Sequence, residues 1–146
     1  MYEQPYKVLA LKYRPSQFSE LVGQDTLVKT LRNSFLFNRV GHAFLLHGDR
    51  GVGKTSTARL IAKALNCTEK IDGDVEPCSS CSNCKSIQLG RHVDVIEMDG
   101  ASKTGVNDIR EIIETVVYRA AAAKFKVYII DEVHMLSNSA FNALLK

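Results

Sequence analysis

Residues 48–55 read Gly-Asp-Arg-Gly-Val-Gly-Lys-Thr, a complete match to G-x-x-x-x-G-K-[ST]. The pattern restricts the fold because it works only where a strand feeds the loop and a helix leaves it, with backbone N–H groups converging on an anion at the helix start. Both flanks comply. The apolar run at 43–46 is too short for a helix and predicts a strand. Residues 54–66 then place Ala58, Ile61, Ala62 and Leu65 on one helical face. Glycine at 48, 51 and 53 keeps Cβ atoms out of the cradle. Lys54 is expected to reach the β- and γ-phosphates of a nucleotide, and the Thr55 hydroxyl to ligate Mg²⁺; Asp49, Arg50, Val52 and Ser56 complete the loop and the first helical turn.

A second motif completes the chemistry. Residues 127–130 are an unbroken apolar run, followed by the adjacent carboxylates Asp131 and Glu132 and then Val133-His134. In parallel α/β sheets, ligands gather at the carboxyl ends of strands, where these acids fall. Asp131 is expected to hold Mg²⁺ and Glu132 to polarise an attacking water, which makes Lys54 and Glu132 the candidate catalytic pair.

Other segments alternate in the same way. A helix is expected over 24–37, with Leu27, Val28, Leu31 and Phe35 at helical spacing, and a second strand over 93–98. Val106, Ile109, Ile112, Ile113, Val116 and Val117 form a wide stripe that reads as core packing. Alternating strands and helices predict an α/β fold with a mainly parallel sheet sandwiched by helices. No window approaches the ~20 apolar residues of a membrane span and the N-terminus has no secretory leader, so a cytoplasmic protein without membrane contact is expected. The net charge of +3 is uneven: residues 1–66 carry ten Lys/Arg against four Asp/Glu, and residues 67–99 carry three against seven. The basic part suits phosphate; ordinary solvated faces would produce the same count.

Four thiols, Cys67, Cys78, Cys81 and Cys84, are spaced C-x10-C-x2-C-x2-C. Disulfides, buried apolar thiols, a redox pair and a metal site all need weighing. A reducing compartment disfavours disulfides, and three of the four lie among Ser, Asn and Lys, not in apolar stripes. Two overlapping C-x-x-C turns with a fourth thiol from the preceding helix suit tetrahedral Zn²⁺. Pro77-Cys-Ser-Ser-Cys is also half of a zinc deaminase signature, but no H-x-E accompanies it. The expectation is a closed structural clip that gives order to a turn-rich, acidic insertion over 67–84, too poor in apolar residues to order itself, which supports itself and not the sheet.

The succession Lys12-Tyr-Arg-Pro15, Leu21-Val-Gly-Gln24, His42-Ala-Phe-Leu, the phosphate loop, the four-cysteine insertion, Met98-Asp-Gly-Ala-Ser102, D-E-V-H and Ser139-Ala-Phe-Asn-Ala-Leu-Leu-Lys146 resembles the tau/gamma family of bacterial DNA polymerase III clamp-loader subunits. The resemblance covers the whole chain. It implies an AAA+ ATPase that, within a ring-like hetero-oligomer of clamp-loader subunits and as part of the polymerase holoenzyme, loads a sliding clamp onto primer-template DNA. It implies ATP, Mg²⁺ and Zn²⁺ as cofactors. It adds Tyr13, Arg14 and Pro15, with the Val22-Gly23 turn, near the adenine base, and assigns no catalytic role to His42, His47, His92 or His134. On this pattern residues 1–146 are part of an AAA+ domain, stopping before the polar sensor strand, arginine finger and helical lid. That strand order leaves 43–47 and 127–131 unpaired with each other, and the isolated chain is expected to be marginally stable and nearly inactive. Two other function classes stay open. A stand-alone P-loop nucleotide kinase would need an acceptor site and lid arginines; a non-enzymatic zinc-ribbon nucleic-acid binder would need basic or aromatic residues around the cysteines, where the charge is negative.

Overall fold

The computed structural model describes residues 8–70, 75–102 and 106–144. Its helices are α1 (Leu9–Lys12), α2 (Asp25–Leu36), α3 (Lys54–Asn66), α4 (Ser82–Gln88), α5 (Val106–Val116) and α6 (Asn138–Leu144), with 3₁₀ turns at Phe18–Glu20 and Val133–Met135. Two strands, β1 (Val95–Asp99) and β2 (Val127–Asp131), pair in parallel with Val95 opposite Val127 and Asp99 opposite Asp131. Among the described residues no helix is long and apolar enough to cross a membrane.

Successive residues of β2 point to opposite faces, and both faces are covered. Ile129 packs with Val95, Ala62 of α3 and Ile87 of α4. Ile130 packs on the other face with Met98, Ile109 of α5, Leu136 and Ala140 of α6. This is the expected α/β layering, with helices on either side of a small parallel sheet. A third apolar cluster lies off the sheet, where Phe18, Leu31 of α2 and Val75 meet Leu60, Ile61 and Ala64 of α3.

Three expectations need correction. Residues 43–46 form no strand, and Ala43, Phe44 and Leu45 are exposed. A strand exists only through a partner's ladder, and among the described residues β2 pairs with β1 alone. In the α5 stripe, Ile109, Ile112 and Ile113 reach the core, but Val116 and Val117 are exposed. The cysteine insertion is also not self-contained: Val75 belongs to the cluster off the sheet, and Asn83 Nδ2 donates to the Asn66 carbonyl at 2.8 Å.

Polar anchors fasten the loops to this frame. Asp94, 2% exposed, accepts from the N–H groups of Ala121, Ala122 and Ala123 at 2.7–2.8 Å. Burial opposes its charged form, yet the three donors outweigh that and hold the carboxyl below its ordinary pKa. Asn66 pairs with the backbone of Phe125, accepting from its N–H at 2.8 Å and donating to its carbonyl at 2.9 Å, which fixes the approach to β2.

Candidate functional site

Gly53 caps α3 at φ 96°, a left-handed conformation that an L side chain resists, and Gly51 lies at φ 89°. No side chain caps the helix and its first turn has no acid. The N–H groups at the start of α3 are therefore left for an anion, and the helix dipole favours one. Lys54 Nζ closes over the loop, donating to the carbonyls of Gly48 and Asp49 at 2.8 Å each. Residues 48–52 are exposed, whereas Gly53, Lys54, Thr55 and Ser56 are half-buried.

The two motifs meet directly. Thr55 Oγ1 donates to Asp131 Oδ2 at 2.7 Å across 76 positions of sequence. That contact unites a hydroxyl and a carboxylate of the kind that hold Mg²⁺ between a phosphate loop and a strand end. The parallel register sets Asp99 beside Asp131, and the Gly100 N–H donates to the Asp131 carbonyl at 2.8 Å. Asp99 itself turns away, accepting from the Ala101 N–H at 2.9 Å and Ser102 Oγ at 2.8 Å, bonds that lower its pKa.

Glu132 follows at φ 48°, ψ 42°, a left-handed conformation uncommon outside glycine. Its N–H donates to Asp131 Oδ1 at 3.0 Å, and its Oε2 lies 3.4 Å from His134 Nε2. Strain of this kind persists only where neighbours enforce it. Gly100 makes room for this path: a Cβ there would come within 2.8 Å of the Glu132 carbonyl oxygen and 3.0 Å of that of Asp131. Sequence reasoning quoted Gly100 within a motif but gave it no role; a close approach of two backbones leaves no periodic signal.

Another pair unforeseen from sequence is Arg59 on α3 and Glu97 on β1, joined by two hydrogen bonds of 2.7 and 2.8 Å. With Asp99 and Asp131 they line an open cleft of about 540 Å³. Half-buried Arg14 lies within electrostatic reach of them: burial, then the positive charge of Arg59, lowers its pKa, and Glu97 acts the other way. Pro15 is half-buried beside Arg14, while Tyr13 and Val22 are 73% and 94% exposed. His92 is buried and its Nδ1 accepts from the Asp94 N–H, a structural role.

The four cysteines converge. All are free thiols, and their Sγ atoms lie within 4.8 Å of one another, with Cys78 and Cys84 at 4.0 Å. Tetrahedral coordination at about 2.3 Å per Zn–S bond needs sulfurs about 3.8 Å apart, so the set fits with small adjustment. The N–H groups of Cys78, Cys81 and Cys84 donate to Sγ of Cys67, Cys78 and Cys81 at 3.2–3.4 Å. Burial disfavours the Cys81 thiolate, but the Cys84 N–H and donors from Thr68 outweigh it and bring the pKa down to about 6. Burial, then the Cys81 side chain, pushes the Cys84 thiol up. A cation reverses that penalty, so this donor set suits a thiophilic divalent metal.

The family described as DNA polymerase III, delta subunit, matches residues 23–146. The DNA polymerase III subunit tau/gamma of Haemophilus influenzae is 52% identical over 141 residues, covering 97% of this chain and 20% of the relative. The tau subunits of Escherichia coli and Bacillus subtilis are 52% and 51% identical over the same length, covering 97% of this chain and 22% and 25% of those relatives. The chain therefore spans about a fifth to a quarter of the length of these proteins.

Proposed function

Because this chain belongs to the DNA polymerase III delta-subunit family and is similar over nearly its whole length to tau/gamma subunits, we propose that it is the nucleotide-binding part of an AAA+ clamp-loader ATPase that loads a sliding clamp onto primed DNA. The observation that carries this reading is the 2.7 Å bond between Thr55 and Asp131, which joins phosphate loop to strand end. The uncapped start of α3 and the strained Glu132 beside it support the same reading.

In this scheme the N–H groups of residues 51–55 receive the β-phosphate of ATP. Lys54 exchanges its bonds to the Gly48 and Asp49 carbonyls for phosphate oxygens, which holds the loop closed until nucleotide arrives. Thr55 and Asp131 would hold Mg²⁺, which neutralises charge on the transferring phosphoryl group. Glu132, with its carboxylate 3.4 Å from His134 Nε2, orients and polarises water for attack. Tyr13, Arg14 and Pro15, with the Val22-Gly23 turn, would lie near the base. The Cys67, Cys78, Cys81 and Cys84 thiolates hold Zn²⁺ as a structural centre, since four sulfurs leave no open position for a reacting water. Partner subunits, the clamp and primer-template DNA would engage the assembled complex.

Substitution separates the roles in the full-length subunit within its complex. Lys54→Ala should abolish ATP binding, whereas Glu132→Gln should bind ATP and fail to hydrolyse it. Equal loss of binding in both variants would sink this division of labour. A kinase reading would instead require phosphoryl transfer to a small acceptor without the complex.

A further inference from the structure

The cysteine-bearing loop meets the segment at residues 16–19 through several contacts, among which one carboxylate takes two backbone N–H groups. Glu76, two positions before Cys78, accepts from the backbone N–H groups of Phe18 at 2.7 Å and Ser19 at 3.1 Å, and pairs with Arg32 of α2. On the other side of Cys78, Ser79 Oγ donates to the Ser16 carbonyl at 2.8 Å. Lys63 of α3, 1% exposed, donates to the same carbonyl at 3.3 Å and to Gln88 Oε1 of α4 at 3.1 Å. Phe18, also 1% exposed, packs in one cluster with Val75. Residues 16–19 are therefore clamped by groups on both sides of a cysteine, and 13–15 lie immediately upstream with the rigid φ of Pro15 between them.

We propose that Glu76 is a positioning residue which fastens residues 13–15 to the cysteine module, so that metal occupancy at the four cysteines and nucleotide affinity are linked. The linkage rests on the nucleotide reading given above. Without a cation the four sulfurs lose the ligand that joins them, and the loop holding Glu76 loosens at Cys78. Phe18 and Ser19 then lose their acceptor, and residues 13–15, immediately upstream, lose the anchor that fixes where they start. Coupling is reciprocal, so nucleotide would in turn slow metal loss. This reverses the expectation that the insertion serves only itself.

The test uses the full-length subunit and a fluorescent N-methylanthraniloyl ATP with Mg²⁺. Glu76→Gln preserves size and leaves the thiols untouched, so elemental analysis should still find one zinc per chain. Its affinity for the labelled ATP should fall about fivefold or more, with turnover at saturating ATP within about twofold of wild type. Amide hydrogens of Phe18 and Ser19 should exchange faster, and Glu76→Asp should recover part of the loss. Stripping zinc from wild type with a chelator should give the same affinity change, and stripping Glu76→Gln should add little. Wild-type binding that is tight and unmoved by both treatments overturns the linkage while sparing the nucleotide reading. Wild-type zinc protein that binds no labelled ATP overturns both. Unchanged exchange at Phe18 and Ser19 in Glu76→Gln overturns the joint itself.

Discussion

Gly100→Ala offers a sharp probe of the strand ends, because the obstacle it meets is backbone. The new Cβ would lie 2.8 Å from the Glu132 carbonyl oxygen, 3.0 Å from that of Asp131 and 3.3 Å from the Glu132 carbonyl carbon. Relaxed non-bonded carbon contacts lie at about 3.5 Å or beyond, so one backbone must retreat by roughly 0.7 Å. The retreat breaks or stretches the 2.8 Å bond from the Gly100 N–H to Asp131 and moves the segment that aims Glu132. Overpacking of this kind costs about 1–3 kcal/mol of stability. A misplacement approaching 1 Å at a group that orients a nucleophile lowers turnover by about 10²-fold. ATP affinity should fall less than turnover, since the start of α3 is untouched and only the Asp131 side of the site moves. Steady-state hydrolysis by the assembled complex, with nucleotide titration and a thermal melt of the same protein, reads all three quantities. Gly90→Ala is the control: its φ is 65° with open space around it, so it should cost about 1 kcal/mol in backbone strain and leave turnover alone. A Gly100→Ala enzyme with wild-type turnover and melting temperature would refute the close approach of the two strand ends.

Cys81→Ser should reduce zinc from one per chain to near zero by elemental analysis, and should lower stability as well as disorder the loop, because Val75 and Ile87 are lodged in the core; retention of one zinc would remove the four-thiolate reading. Asp94→Ala should destabilise by about 3 kcal/mol or more, since three N–H groups lose a charged acceptor in a buried site, measurable by denaturant unfolding; a cost below ~1 kcal/mol would contradict the anchor. Because the folded pKa of Asp94 is depressed, its contribution is fully present above the ordinary carboxylate range near pH 4 and is lost as pH falls through the lower folded value. Unfolding midpoints of wild type should therefore drop across that acid window more than those of Asp94→Ala, and parallel profiles would argue against it.

Features that depend on local periodicity were legible in the sequence. The helical stripe beginning at Lys54 predicted α3 to its last residue, Asn66, and the β-branched run predicted β2 with Asp131 at its carboxyl end. Convergence of the four thiols was legible because metal-ligand spacing is itself a local code. Features that depend on a partner were not. Residues 43–46 have the composition of a strand, but a ladder needs a neighbour that sequence spacing cannot supply. Val116 and Val117 continue an apolar stripe past the point where anything packs on it. Asp94, Asn66 and Glu76 look like surface residues by type, and only their burial against backbone N–H groups of distant loops reveals them as anchors. Gly100 carries its constraint in what it lacks, a Cβ, which becomes visible only when two strand ends are seen together.

The central claim is that the start of α3 and the end of β2 form one Mg²⁺–nucleotide site, and its most direct test is a crystal structure of the full-length subunit with Mg²⁺ and a non-hydrolysable ATP analogue. The account predicts the β-phosphate on the N–H groups of residues 51–55, Lys54 Nζ released from the Gly48 and Asp49 carbonyls onto phosphate, and Mg²⁺ ligated by Thr55 Oγ1 with Asp131 alongside. Nucleotide bound elsewhere, or Lys54 still closed on those two carbonyls with phosphate present, would contradict it.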